Sequence, residues 1–154
     1  MSATVSVPEQ RGWLRRLLTG RPHQEIGPPD RPYLLRYFVI PHNSVVNVYL
    51  HKFVASDDPD ALHDHPWMFA SLCLAGRYRE ILPSGRAELR RPGTVAVRRA
   101  AARHRVELLA DGRGGEHPCW TLLVTGPKVR EWGFWCRERF VPWTRFDGGC
   151  GEAQ

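Results

Sequence analysis

The segment LHDHPWMFASLCL, Leu62 to Leu74, decides how the chain is read. Residues two apart in an extended chain project from one face, so His63 and His65 send both rings to the same side. Carrying that alternation forward places Phe69, Ser71 and Cys73 on the same inward face, an apolar floor beside the rings. Asp64 faces the other way, where a short carboxylate is expected to pin the loop through backbone N–H groups.

Working outward, Gly 14 and Pro 13 cut the chain into short apolar segments separated by turn signals, the pattern of an antiparallel sandwich or barrel. Expected strands are Tyr33–Ile40, Val45–Val54, Trp67–Leu74, Tyr78–Leu82, Ala87–Arg90, Thr94–Arg98, His104–Leu109, Trp120–Thr125 and Arg130–Trp135. The turns between them include ASDDPDA, PSG, RPG and DGRGG. This all-β count suits a closed double sheet, which hides its edges. One helical signal precedes it: Trp13, Leu14, Leu17 and Leu18 fall on one face, beside Arg15 and Arg16. Residues 20–32, GRPHQEIGPPDRP, hold too many prolines for helix or strand and read as a linker. The chain thus divides into a helix and Pro-rich linker (1–32), a barrel (33–145) and a Gly-rich tail (146–154).

A length of 154 residues with 42% hydrophobic and 25% charged content fits one domain with a real core. No apolar stretch nears the roughly 20 residues of a spanning helix. The opening MSATVSVPEQRGWLRRLL lacks the order of a secretory signal. A soluble, cytoplasmic protein is expected, with no membrane partner. Lys+Arg 22 against Asp+Glu 16 gives a net charge of +6, which admits acidic partners. The arginines are scattered through strand-like segments without a nucleic-acid-binding signature, so no nucleic-acid partner is expected. Cys73, Cys119, Cys136 and Cys150 show no C-x-x-C pair, and a chain of this size does not need staples, which suits a reducing compartment. Cys73 and Cys119 read as small buried hydrophobes, and Cys150 as exposed in the tail.

His104, in ARHRVEL, is the candidate third partner of His63 and His65. Neutral imidazole suits zinc, iron, copper or nickel, and three such ligands leave open positions for substrate. An H-x-H pair alone is more often a surface or satisfied core pair, so the rest of the pattern matters.

That pattern resembles the cupins, the RmlC-like double-stranded β-helix proteins, over roughly residues 45 to 125. His63 and His65 match the H-x-H of the first cupin motif, and Gly76 falls on its closing glycine. Gly93 and His104 stand at the separation of the second motif's glycine and histidine. Phe69 replaces the usual glutamate ligand, Asp57 the opening glycine, Arg99 and Ala101 the P-x-G, and Leu108 the asparagine. The string with HDHPW also looks like a set of small uncharacterised bacterial and phage cupins. The resemblance implies a cupin jelly-roll barrel with a short N-terminal helix and one divalent metal on His63, His65 and His104. The set is all histidine, similar to the thiol dioxygenases. Iron(II) is favoured, with zinc, manganese or nickel compatible.

Three neutral ligands leave the ion its full charge, so a small, anionic organic substrate is expected. An iron(II) dioxygenase-type oxidoreductase is the first reading. A metal-assisted isomerase or hydrolase, or a non-catalytic ligand-binding sensor, is the alternative. His51, in VYLHKF, is a candidate fourth ligand or acid/base group, against the commoner role of a hydrogen-bonded core histidine. Glu80, in RYRE, could orient a metal-bound imidazole or pair with a surface arginine. Arg98 and Arg99 could grip an acidic substrate group or simply be solvated. Trp120, Trp132 and Trp135 could line a mouth, core or interface, and six tryptophans make a homodimer expected. His23, His42 and His117 receive no role.

Overall fold

A computed structural model describes residues 12–57 and 61–150. Residues 58–60 of the ASDDPDA turn therefore lie outside the described residues. Helix α1 (Trp13–Leu18) is followed by β1 (Gln24–Ile26), β2 (Leu34–Phe38), β3 (Asn47–Phe53), β4 (Leu62–His63), β5 (Phe69–Ala75) and β6 (Tyr78–Ile81). Then come β7 (Ala87–Arg90), β8 (Val95–Arg98), β9 (Arg105–Leu108), β10 (Cys119–Thr125), β11 (Gly133–Cys136), β12 (Arg139–Pro142) and a 3-10 turn at Trp143–Arg145.

One layer is a six-stranded antiparallel sheet in the order β1-β2-β3-β10-β5-β8. The other consists of two three-stranded sheets, β12-β11-β4 and β7-β6-β9. An isolated antiparallel bridge between His63 and His104 joins β4 to the start of β9, so the two small sheets meet at the histidines. Among the described residues the fold is all-β, a double-stranded β-helix with one short α-helix.

Register explains the core. Leu34, Phe53 and Cys119 share one inward row, and Phe38, Tyr49, Leu123, Ser71 and Ala96 another. Phe69, Ser71 and Cys73 are all buried, as the alternation from His63 requires. Between those rows lies a polar one, Arg36, His51, Thr121 and Cys73. On the outward face Tyr37, Leu50, Leu122, Leu72 and Val95 lie side by side across five strands. Gly76 keeps φ at 77°, and a Cβ there would collide with the Pro118 carbonyl and sit 2.9 Å from Cys119 Cα. The motif glycine is thus required by a close backbone approach.

Four local expectations need correction. The stretch read as linker contains β1, because none of its prolines falls within Gln24–Ile26, which leaves that segment free to pair with β2. The helix does not bury the expected apolar face: Leu14 and Leu18 are 52% and 77% exposed. It is held instead by Trp13, whose Nε1–H donates to Phe38 O at 2.8 Å. Strand β12 went unread because the β11–β12 hairpin turns through Arg137 at φ 58°, with no glycine or asparagine to announce it. Finally, Cys136 and Cys150 form a disulfide rather than staying thiols, tying the exposed tail back to β11. Cys73 and Cys119 are free and buried, as expected. Among the described residues no helix is long and apolar enough to cross a membrane.

Candidate metal centre

Two backbone hydrogen bonds clamp the histidine seam. His63 N donates to His104 O at 2.9 Å and His104 N donates to His63 O at 3.0 Å. His65 N donates to Ala100 O at 3.0 Å, fixing the second ring of the pair. The three ring centroids form a nearly equilateral triangle with sides of 5.0, 5.0 and 5.1 Å. One nitrogen from each ring lies within 4.8 Å of the others. His65 Nε2 and His104 Nε2 are 2.8 Å apart, close enough to share one ion.

Carboxylates support this triangle from behind. Glu80, 2% exposed, accepts from His104 Nδ1–H at 2.8 Å, which turns the Nε2 lone pair toward the other rings. Burial opposes ionisation of Glu80, but the bonds from His104, Arg98 and Arg90 outweigh it and hold the carboxyl at about 2. Arg90 reaches Glu80 Oε2 at 2.5 Å, and Arg98 spans both oxygens at 3.0 and 2.8 Å. Asp57 Oδ2 lies 3.6 Å from His63 Nδ1 and accepts from Val106 N at 2.7 Å. Burial raises this carboxyl to about 6, against the pull of the Val106 N–H and of His104.

Asp64 faces away from the triangle, as its position between the histidines requires. Fully buried, it accepts from Gly133 N and Trp135 Nε1 at 2.9 Å each and pairs with Arg130. It therefore binds the histidine loop to β11 through backbone and side-chain donors together.

The rings themselves sit in an aromatic wall. Trp67 stacks on His65 at 4.9 Å and 17°, and Phe69 meets the same ring edge-on at 4.8 Å. Phe69, which takes the place of the glutamate ligand, thus packs against the centre instead of completing it. Burial first, and neighbouring positive charge second, hold His63 and His65 well below the ordinary histidine range. They are neutral imidazoles near pH 7, the protonation state that donates to a metal.

No protein-family model matches the chain, and no curated protein matches it either, so the HDHPW grouping rests on the sequence alone. Solved structures do match. An uncharacterized conserved protein with a double-stranded β-helix domain from Klebsiella pneumoniae subsp. pneumoniae aligns at TM-score 0.51 and 17% identity, over 72% of this chain and 96% of that one. The fold is that of the cupins. The DMSP lyase DddQ from Ruegeria pomeroyi aligns at TM-score 0.55 and 15% identity, over 75% of this chain and 58% of that one. FeII HppE aligns at TM-score 0.52 and 12% identity, over 66% and 54%.

Within this cupin fold the other sequence-derived positions separate clearly. Glu80 touches His104, as one of its two readings required. Arg98 donates to both oxygens of Glu80 from its Nε and Nη2. Arg99 is exposed beyond β8. His51 is buried, but it is not one of the three histidines whose nitrogens converge, and its Nε2 accepts from Arg36 Nε at 2.9 Å, which blocks the lone pair a metal would need. Trp120 packs on Tyr37, Trp132 stacks on Trp143, and Trp135 serves Asp64, so none of the three touches the rings. Two neighbours of the site were missed, Trp67 and Arg36. For Arg36 a signal existed: in LLRYF it alternates with Leu34 and Phe38, the two buried ends of β2.

Proposed function

We propose that this chain is a metal-dependent cupin enzyme that binds one divalent ion through His63, His65 and His104 and acts on a small organic anion. Iron(II) and an oxygen-dependent reaction are the favoured form. The observation that carries the reading is the convergence of three imidazoles, two of them kept neutral by burial and the third locked in orientation by a buried carboxylate. Such a donor set suits borderline first-row metals and adds no negative charge of its own. Neighbours of the same fold include an FeII protein and a lyase, which is consistent with metal chemistry on this scaffold. When bound, the ion would supply Lewis acidity and, if iron, access to redox chemistry.

The chain's own residues do the rest. Glu80 holds the His104 proton at Nδ1 and so keeps Nε2 available. Trp67 and Phe69 restrict water around His65 and strengthen polar contacts made there. Zinc, manganese or nickel would fit the same donors.

Metal content tests this reading. Purified protein should carry close to one equivalent of a divalent metal, and the His63→Ala, His104→Ala double variant close to none. A chelator should abolish turnover, and added iron(II) should restore it. Equal metal content in wild type and double variant would overturn the reading.

A further inference from the structure

The six-stranded sheet is apolar on both of its faces. Strand alternation in an antiparallel sheet usually turns one face to the core and leaves the other polar for water. Here Phe69, Tyr49 and Leu123 are buried in the core on the inward side. Yet the outward row from Tyr37 to Val95 is apolar at every strand it crosses. The neighbouring outward row, Val48, Val124, Ala70 and Val97, is apolar as well. On the other side the row holds Glu25, Leu35, Lys52 and Trp120, with Lys52 Nζ 5.3 Å from the Trp120 ring. Glu25 and Lys52 cancel, so these rows carry no net charge on a chain at +6.

Among the described residues nothing covers the β5–β8 end of this face. Val95 and Val97 are each 60% exposed, and Val124 on β10 is 41% exposed. A contiguous apolar face of this kind marks an interaction surface. Five strands about 4.8 Å apart and three rows about 6.8 Å apart span roughly 24 by 20 Å, or about 500 Å². Two such faces together bury about 1,000 Å² before side-chain relief is counted, which reaches the size of a specific interface. Charge decides between occupants. An anionic lipid surface selects a basic face, whereas this one is neutral. A twisted apolar sheet is matched by a second sheet of the same twist, packed at about 30° to it.

We propose that the outward face of the six-stranded sheet docks a second copy of this chain, sheet on sheet, in a two-fold dimer. The same patch serves both copies, so Leu50 and Leu122 at its middle stand at the centre of the contact. Each histidine centre lies on the other side of its own sheet, where Phe69 meets His65. The dimer therefore stands independently of whether those histidines hold a metal.

Sedimentation velocity of the full chain between about 1 and 100 µM tests this, with circular dichroism to confirm that each variant is folded. Wild type should sediment at twice the chain mass. Leu122→Glu should weaken the dimer at least about 100-fold, because each copy then buries an unpaired carboxylate. Val124→Glu, at a position the single chain already leaves partly in water, should act in the same direction and keeps the test open if Leu122→Glu does not fold. Leu89→Glu, equally exposed but on β7 in the other layer, should leave the dimer unchanged. Wild type at the single-chain mass at about 100 µM would overturn the proposal. So would a dimer that survives both Leu122→Glu and Val124→Glu, or one that Leu89→Glu disrupts as much as they do. A monomer that cosediments with phosphatidylcholine vesicles, and no longer does so as Val124→Glu, would give the face to lipid instead.

Discussion

Two walls of the same barrel treat buried arginine in opposite ways. On the β6–β7–β8 side, Arg90 and Arg98 meet Glu80 and Glu88, and every charge has a partner. On the β1–β2–β3 side, Arg36 meets His51, Gln24 and the Tyr49 ring among the described residues. Both arginine sets face inward from strands, so the difference is one of chemistry rather than position. The balanced wall fixes His104 by passing its rigidity through Glu80. The other wall sets its guanidinium against neutral partners. The six-stranded sheet contributes to both walls, Arg36 from β2 and Arg98 from β8, and it is the facing β6–β7 carboxylates that make the difference.

The comparison breaks most sharply at Glu80. Glu80→Ala would leave Arg90 and Arg98 sharing Glu88 alone and free His104 Nδ1. We expect a loss of about 3–5 kcal/mol in urea unfolding, the usual cost of removing one member of a buried ion pair. Glu80→Gln keeps the shape and should fold, while weakening zinc affinity by about 10–100-fold through its effect on the His104 ring. Unchanged affinity in Glu80→Gln would mean that Glu80 serves the arginines and not the histidine.

Swapping one arginine on each wall sharpens the contrast. Arg98→Met should cost about 1–3 kcal/mol, because it removes two charged hydrogen bonds to a carboxylate that stays buried. Arg36→Met should stay within about 0.5 kcal/mol of wild type or exceed it, since the ligand-free protein loses an uncompensated charge and only neutral acceptors. Equal destabilisation by the two substitutions would show that Arg36 is structural and would remove the distinction between the walls.

How much of this was legible in the sequence follows from what each feature depends on. The strands and the inward set Phe69, Ser71 and Cys73 depend on period-two alternation, which the letters display. The histidine convergence depended on the paired cupin motifs, because no local rule links His63 to His104 across the intervening chain. Glu80 was found by proximity to those motifs, but its hold on Arg98 was not, since pairing between β6 and β8 side chains is a tertiary event. Arg98 was therefore read as either a substrate-gripping or a solvated arginine, and its ion pair with Glu80 was not foreseen. Arg36 was overlooked because an arginine between Leu35 and Tyr37 looks like ordinary surface charge until Leu34 and Phe38 are seen to be the buried ends of its face. Gln24 was hidden by the prolines on either side of it, and the Cys136–Cys150 disulfide by a spacing of 14 residues that no local pattern marks.

The smallest expected effect tests whether Arg36 acts on its neighbours as an unpaired charge. His51 is held well below the ordinary histidine range by burial first and by Arg36 second. An unfolded histidine takes up a proton near pH 6.5, whereas folded His51 does not, because protonation would break the Nε2 bond and place two cations together. The unfolded state therefore binds more protons below about pH 6.5. The stability this group contributes is complete above that pH and falls as the solution is acidified, by about 1.4 kcal/mol per pH unit. Measured by urea unfolding of metal-free protein between about pH 5 and 7, wild type should lose that much more per unit than His51→Gln. In Arg36→Met the second cause is gone and burial remains, so folded His51 accepts a proton at a higher pH than in wild type. The variant's decline should then level off earlier on acidification. Identical pH profiles for Arg36→Met and wild type would mean that the charge is already neutralised by a group nearby, and the β1–β2–β3 wall would be as balanced as its counterpart.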